Sequence, residues 1–281
     1  MPLDAHRSTP LPVASALSHT SPTDPGFPLV QRRLLDLTGI DLDAYKRPQM
    51  MRRLDAILAR CHLASLTALA NELKPNSEVL KEFMERFTIN VSECFRDKPR
   101  FEQLQRQIIP EMAKRNAALR LWSAGCSYGA EPYSLAIILR EANLTRAAIT
   151  ATDIDPKILA AAKAGESFTS NDFRNLTPEI AKRYFTVTPT GTFRATEALR
   201  PFITFRQQNL LQPPPGKDFD IVLCRNVTIY FTEESKDQVT QHLVDALRPG
   251  GILFIGETET IHRPQRFGLT LRSTSFYEKA G

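Results

Sequence analysis

The sequence predicts an α/β, Rossmann-like fold preceded by an all-helical domain, and three observations carry that expectation. From Leu119 onward, short apolar runs alternate with helical patterns, as in a parallel sheet wrapped by helices. From about residue 29 to 117, by contrast, the periodic stretches are helical and no strand pattern occurs. Finally, the first apolar run ends in a turn with two glycines followed by a helical pattern, a layout that brings a ligand to a strand end.

Taken in order, residues 1–28 are rich in Pro, Ser and Thr and read as a disordered tail. They lack the basic-then-apolar layout of a signal peptide. "PQMMRRLDAILARCHL" opens with Pro48, suited to a first helical turn. Met50, Leu54, Ile57 and Cys61 then recur on one apolar helix face. "SEVLKEFMERFTI" and "FEQLQRQIIPEMAKRN" predict two more amphipathic helices, completing a helical domain over 29–117. In the domain expected over 118–281, "LRLW", "AAITATD", "FDIVLC" and "GGILFIGE" predict buried strands. "SLAIILREA", "PKILAAAKAG" and "KDQVTQHLVDALRPGG" predict the covering helices, the last stopped by Pro-Gly-Gly. The alternation lapses over 166–208, which reads as an inserted β-subdomain with a short helix and a hairpin around Pro189-Thr190-Gly191. "LTLRSTSFYEKA" predicts a final antiparallel strand or hairpin.

A chain of 281 residues accommodates one large domain, or a medium domain plus a small one. Apolar residues at 42 % and charged residues at 24 % are the balance of an ordinary soluble protein. No apolar run approaches the roughly 18 residues of a membrane span, so no membrane insertion is expected. The net charge of +5 is too mild to imply nucleic acid. Four scattered cysteines without a CxxC suggest a reduced, cytoplasmic protein with no zinc site. The cations are concentrated: Lys46, Arg47, Arg52, Arg53 and Arg60 face one anion, Asp55, within a single helix-length stretch.

The residues that could carry chemistry begin with "AGCSYGAEPYSLA", residues 124–136. A glycine after a strand permits a sharp turn and close approach of a ligand. Gly125 and Gly129 are four apart, which fits neither GxGxxG nor the phosphate loop, and no lysine is present for a triphosphate. After the next strand comes "ATDIDP", where Asp153 is placed to accept hydrogen bonds from ribose hydroxyls while Asp155 caps the following helix. A glycine turn with an acidic strand end, and no pyrophosphate requirement, points to S-adenosylmethionine, with NAD second. "FDIVLCRNVTIYF" places Asn226 at a strand end and Tyr230 where it could face the same cleft. On residues alone, "FTINVSECFRD" reads as cap residues Asn90 and Ser92 and a surface cation, Arg96.

Together these motifs resemble the CheR-type chemotaxis receptor glutamate O-methyltransferase family. The resemblance runs in order from about Leu34 to Tyr277, through "TINVSECFRD", "LWSAGCSYGAEPYSLA", "ATDID", "RNLTPEIAKRYF", "NLL" and "FDIVLCRNVTIYF". It implies a class I S-adenosylmethionine methyltransferase domain that methylates glutamate side chains on methyl-accepting chemoreceptor cytoplasmic helices. It implies cofactor contacts at Asn90, Ser92 and Arg96, at Glu131 and Asp153, and at Asn209, Leu210, Asn226 and Val227, beside the turn glycine Gly125. Arg96 and Tyr230 match the residues next to the transferred methyl, so the bland reading of Arg96 gives way. The helical domain, with Lys46, Arg47, Arg53 and Arg60, is expected to dock the receptor. Two positions depart from the family turn, GCSTGEEPYS: Tyr128 replaces threonine and Ala130 replaces the first glutamate. Those departures leave one alternative of another class, a cofactor-binding regulatory module without turnover, in which Tyr128 fills the cofactor space. A small-molecule methyltransferase would leave the basic helical domain without a role.

Overall fold

The computed structural model describes residues 24–88 and 91–281. Four helices come first: α1 (Phe27–Thr38), α2 (Arg47–Arg60), α3 (Leu66–Glu72) and α4 (Glu78–Phe87). Of the tail expected over 1–28, residues 1–23 lie outside the described ones, and its last residues are not tail, because Phe27 is buried at the start of α1. α2 starts at Arg47, with Pro48 in its first turn, and Met50, Leu54 and Ile57 are buried as their spacing requires. Ser65 and Ser77 cap α3 and α4, each accepting from a backbone N–H three residues on, at 3.1 and 3.2 Å.

A continuous helical rod follows, α5 (Lys98–Gln103) and α6 (Ile109–Arg115), joined by a π-helical turn at Leu104–Ile108. Its apolar residues pack with the sheet, whereas those of α1–α4 form a cluster of their own. The helical stretch expected as one unit over 29–117 thus divides by core. Periodicity reveals that a helix has an apolar face, not which surface covers it.

The α/β part comprises β1 (Arg120–Ala124), α7 (Ala130–Glu141), β2 (Ala148–Asp153), α8 (Pro156–Ala164), α9 (Pro178–Tyr184), β3 (Phe185–Val187), β4 (Phe193–Ala195), β5 (Ile203–Gln207), β6 (Phe219–Cys224), α10 (Glu233–Ala246), β7 (Leu247–Ile255), β8 (Leu269–Ser273) and β9 (Phe276–Lys279). The main sheet has the order β5-β2-β1-β6-β7-β9-β8. Its first five strands are parallel, and β9 and β8 close it as an antiparallel hairpin. Every residue of β6 is buried, as expected for a strand covered on both faces. Successive residues of β1 and β6 alternate between two cores: Leu121 and Ile221 on one face, Trp122 and Val222 on the other. β3 and β4 form the small separate hairpin, turning at Gly191 with φ +82°. The insertion read over 166–208 is shorter at its end, because Ile203–Gln207 is an edge strand paired with β2. α10 ends at Ala246, three residues before the Pro-Gly-Gly expected to stop it.

One short pairing fixes the helical bundle to the sheet. Tyr45 bridges Phe231 in antiparallel fashion, Lys46 N donates to the Tyr230 carbonyl at 2.9 Å, and Thr232 N donates to the Ala44 carbonyl at 2.9 Å. The Tyr45 ring packs 4.8 Å from both Phe87 and Phe231, so α4 is tied to the same joint. Among the described residues no helix is long and apolar enough to cross a membrane.

Candidate active site

The strand order reverses between β1 and β6, where connections leave the sheet in opposite directions, and this is where open α/β sheets bind ligands. A cleft of about 1000 Å³, its open mouth included, lies at the carboxyl ends of these strands. The turn after β1 supplies its floor. Gly125 has φ +81°, and a Cβ there would sit 2.6 Å from a Val227 methyl, so no larger residue fits. Ser127, also left-handed at φ +51°, donates its N–H to Asp153 Oδ2 at 2.8 Å, fastening the turn to the end of β2. Asp155 caps α8, accepting from Lys157 N at 2.9 Å, and it is Asp153 rather than Asp155 that lines the cleft. Burial raises the Asp153 carboxyl above the usual range, against the backbone N–H groups of Ser127, Asp155 and Ile154 that lower it.

Glu131 sits in the first turn of α7 and is nearly buried. Its Oε1 accepts from Ser123 Oγ at 2.7 Å and its Oε2 from Arg225 Nη1 at 3.3 Å. Desolvation pushes its carboxyl up, while Arg225 pulls it down most strongly among the opposing groups. Arg225 is the hub that sequence reasoning missed. Its Nη2 donates to Asp97 Oδ2 at 2.6 Å and to the Arg96 carbonyl at 2.8 Å, and its guanidinium lies over Phe254 and Phe101 at 4.7 and 5.0 Å.

Those contacts end the loop Ser92–Asp97, which carries Ser92 and Arg96 into the cleft. Two of its residues hold left-handed backbone, Phe95 at φ +53° and Asp97 at φ +59°, unusual for non-glycine residues. Such strain persists only where the surroundings over-determine it, and here they do. Cys94 N donates to the Asp172 carbonyl at 3.0 Å, Phe95 N to Ser134 Oγ at 2.9 Å, and Arg174 pairs with Glu93 at 2.5 Å. Arg96 donates from Nη1 to the Val91 carbonyl at 3.1 Å. Asn90 lies outside the described residues.

The end of β6 is organised by a second residue the sequence did not single out. Glu259 Oε2 accepts from Asn226 N at 2.7 Å and Gly256 N at 2.8 Å; its Oε1 accepts from Thr228 N at 3.0 Å and Thr228 Oγ1 at 2.7 Å. This clamp holds Asn226 at φ +58° and leaves its buried Oδ1 without a partner while it lines the cleft. An unpartnered amide oxygen calls for a donor from a ligand. Asn209 and Leu210 line the wall beyond β5, but the Asn209 side chain is engaged, donating to the Gly39 carbonyl at 2.9 Å and accepting from Leu211 N at 2.9 Å.

Tyr230 lines the cleft, and Arg53 lies over its ring at 4.8 Å while donating to the Phe87 carbonyl at 2.5 Å. Arg53, expected on a docking surface, therefore belongs to the cleft wall, and burial lowers its pKa. Lys46 is turned inward, donating to the Ile229 carbonyl at 3.0 Å. Arg47 packs over Phe27 at 3.8 Å and pairs with Asp43 at 3.5 Å. Arg60 stays exposed, 3.9 Å from Glu82. Tyr128 does not line the cleft; its hydroxyl donates toward the Ser92 carbonyl and Asp172.

The donor set fits S-adenosylmethionine. Asp153 and the free Asn226 oxygen accept from hydroxyl or amino groups, Arg96 offers a cation to a carboxylate, and Gly125 admits close backbone approach. Residues 90–275 match the family described as CheR methyltransferase, SAM binding domain, and residues 25–88 match CheR methyltransferase, all-alpha domain. The chain is 39 % identical to a chemotaxis protein methyltransferase of Listeria innocua, over 86 % of this chain and 92 % of that one. It is 36 % identical to chemotaxis protein methyltransferase 1 of Pseudomonas aeruginosa, over 84 % and 90 % respectively. A third relative, chemotaxis protein methyltransferase Cher2 of Pseudomonas putida, is 35 % identical over 80 % and 86 %. Motif order, the cleft at the strand reversal and these matches agree, and the chain belongs to the CheR family of S-adenosylmethionine-dependent methyltransferases.

Proposed function

We propose that the protein methylates glutamate side chains on the cytoplasmic helices of a chemoreceptor, acting in the cytoplasm. The observation that carries this reading is the convergence of Gly125, Asp153 and Asn226 with Arg96 and Tyr230 on one cleft. S-adenosylmethionine supplies an electrophilic methyl group on a sulfonium. The acceptor needs little activation: a glutamate of ordinary pKa, about 4.3, is almost fully ionised at neutral pH, so no general base is required. What remains for the chain is orientation, which contributes roughly 7–11 kcal/mol in well-aligned intramolecular reactions.

In this reading Asp153 and Asn226 hold the polar ends of the cofactor, and Glu131 keeps Arg225 in place rather than reacting. Arg96, with only the Val91 carbonyl as its hydrogen-bond acceptor among the described residues, is available to a carboxylate. Tyr230 is held on one side by Arg53 and lines the methyl path with the other. A shallower groove adjoins the cleft, lined by Arg52, Arg53, Glu85, Arg86, Val91 and Tyr230. We assign the approach of the acceptor helix to this groove, with exposed Arg52 and Arg60 steering acidic receptor surface. Lys46 and Arg47, drawn into contacts within the chain, are left out of that set. The regulatory-module alternative needed Tyr128 in the cofactor space, and its hydroxyl contacts point away from that role.

Arg96→Ala tests the assignment. The side chain is partly exposed and its loss leaves no buried charge, so thermal stability should stay close to the parent, within about 0.5 kcal/mol. Methyl transfer should be lost. Parental turnover in a folded Arg96→Ala protein would remove Arg96 from the chemistry.

A further inference from the structure

Tyr128 belongs to the glycine turn between β1 and α7, yet its contacts are with other segments. Its single O–H is shared between two acceptors, Asp172 Oδ1 at 2.6 Å and the Ser92 carbonyl, at the start of the loop that carries Arg96. Asp172 is nearly buried and fully engaged. Its Oδ2 accepts from Thr169 N at 2.6 Å and Thr169 Oγ1 at 2.9 Å, and its carbonyl accepts from Cys94 N at 3.0 Å. The tyrosine ring meets Phe168 edge-on at 6.0 Å, which fixes its direction. Three chain segments therefore meet at one phenol: the turn that cradles the cofactor, the strained Ser92–Asp97 loop, and the start of the insertion.

We propose that Tyr128 is a positioning residue for methyl transfer, its hydroxyl latching the Ser92–Arg96 loop and Asp172 to the glycine turn so that the two walls of the cofactor site keep a fixed separation. The inference rests on the cleft being the S-adenosylmethionine site. Tyr128 acts through Ser92 and Arg96, and its own ring stays outside the cleft lining. Without the hydroxyl, the Ser92 carbonyl and Asp172 Oδ1 lose the donor they share. The left-handed conformations of Phe95 and Asp97 then lose one of the restraints that hold them.

The test compares two tyrosine hydroxyls on neighbouring turns of one segment. Tyr133 also donates through its hydroxyl, to the Ala162 carbonyl at 3.2 Å, a bond that involves neither the loop nor a residue lining the cleft. In calorimetric titration with S-adenosylhomocysteine, Tyr128→Phe should raise Kd about tenfold, as for losing a hydrogen bond to a charged group. Tyr133→Phe should leave Kd unchanged, even where it lowers Tm. Asp172→Asn should raise Kd as well, and the double variant Tyr128→Phe/Asp172→Asn should be no weaker than the worse single change, because both break one latch. Should Tyr128→Phe fail to fold, Asp172→Asn carries the same readout. A Tyr128→Phe protein binding within about twofold of the parent, or an equal loss in Tyr133→Phe, overturns the latch. A parent that binds no S-adenosylhomocysteine overturns the cofactor reading along with it.

Discussion

Replacing Arg225 with methionine keeps an unbranched stem of similar reach and removes one charge from the centre of the site. The Arg225 side chain is 3 % exposed, Glu131 11 % and Asp97 23 %, so two carboxylates would lose their cation where water reaches them poorly. Removing one partner of a buried pair costs about 3–5 kcal/mol. Asp97 can be partly re-solvated, which favours the lower end, about 3 kcal/mol. At roughly 2–4 °C per kcal/mol for a domain of this size, Tm should fall by about 6–12 °C. The deficit should also depend on pH. Glu131 already lies above the usual carboxylate range because burial outweighs Arg225 and Ser123; without Arg225 it rises further. A carboxyl raised in the folded state binds protons more readily folded than unfolded, so its contribution is present below the unfolded pKa and is lost as pH rises through the folded one. The gap between Arg225→Met and parent should therefore narrow toward pH 5 and widen above neutrality. Urea unfolding followed by the single tryptophan, Trp122 on β1, measures both effects. A gap under about 1 kcal/mol, or one of the same size at acidic and alkaline pH, would refute the reasoning that Arg225 neutralises Glu131.

Two further outcomes follow from the same geometry. Glu259→Gln puts an amide nitrogen against backbone N–H donors that now bind carboxylate, so Asn226 should lose its left-handed pose. S-adenosylhomocysteine affinity should fall by about 2–3 kcal/mol in calorimetry, and unchanged affinity would show that the clamp is dispensable. Arg52→Glu with Arg60→Glu should raise the receptor KM several-fold at low ionic strength, with kcat largely kept. The difference should shrink in high salt, where exposed charges are screened beyond a Debye length of about 3 Å at 1 M. A salt-independent KM in the parent would remove the basic docking face.

Much of this arrangement is legible in the chain because it is local or strand-bound. The runs that became β1, β2, β6 and β7 are short stretches set between helical patterns, and Gly125, Asp153 and Asn226 each lie at a strand's end or within two residues of it. Once the strands are parallel and adjacent, those residues must share an edge of the sheet. The rest is tertiary. Arg225 meets Glu131 and Asp97 across 94 and 128 residues, and Glu259 meets Asn226 across 33, spacings with no pattern of their own. β5 escaped because an edge strand with partly exposed residues resembles a loop. Arg53 and Lys46 looked like surface charge because helical periodicity cannot reveal that Tyr230–Thr232 pairs with Ala44–Lys46 and draws α2 over the cleft. Tyr128 looked like an obstacle in a glycine turn, and its hydroxyl instead reaches Ser92 and Asp172.

The central claim is transfer of a methyl group to receptor glutamates. The most direct measurement incubates the protein with radiolabelled S-adenosylmethionine and chemoreceptor-containing membranes, then releases volatile label with base. The account predicts base-labile methyl esters on the receptor, absent when Arg96→Ala replaces the parent. Tight S-adenosylhomocysteine binding without any such ester, across receptors offering acidic methylation helices, would contradict it.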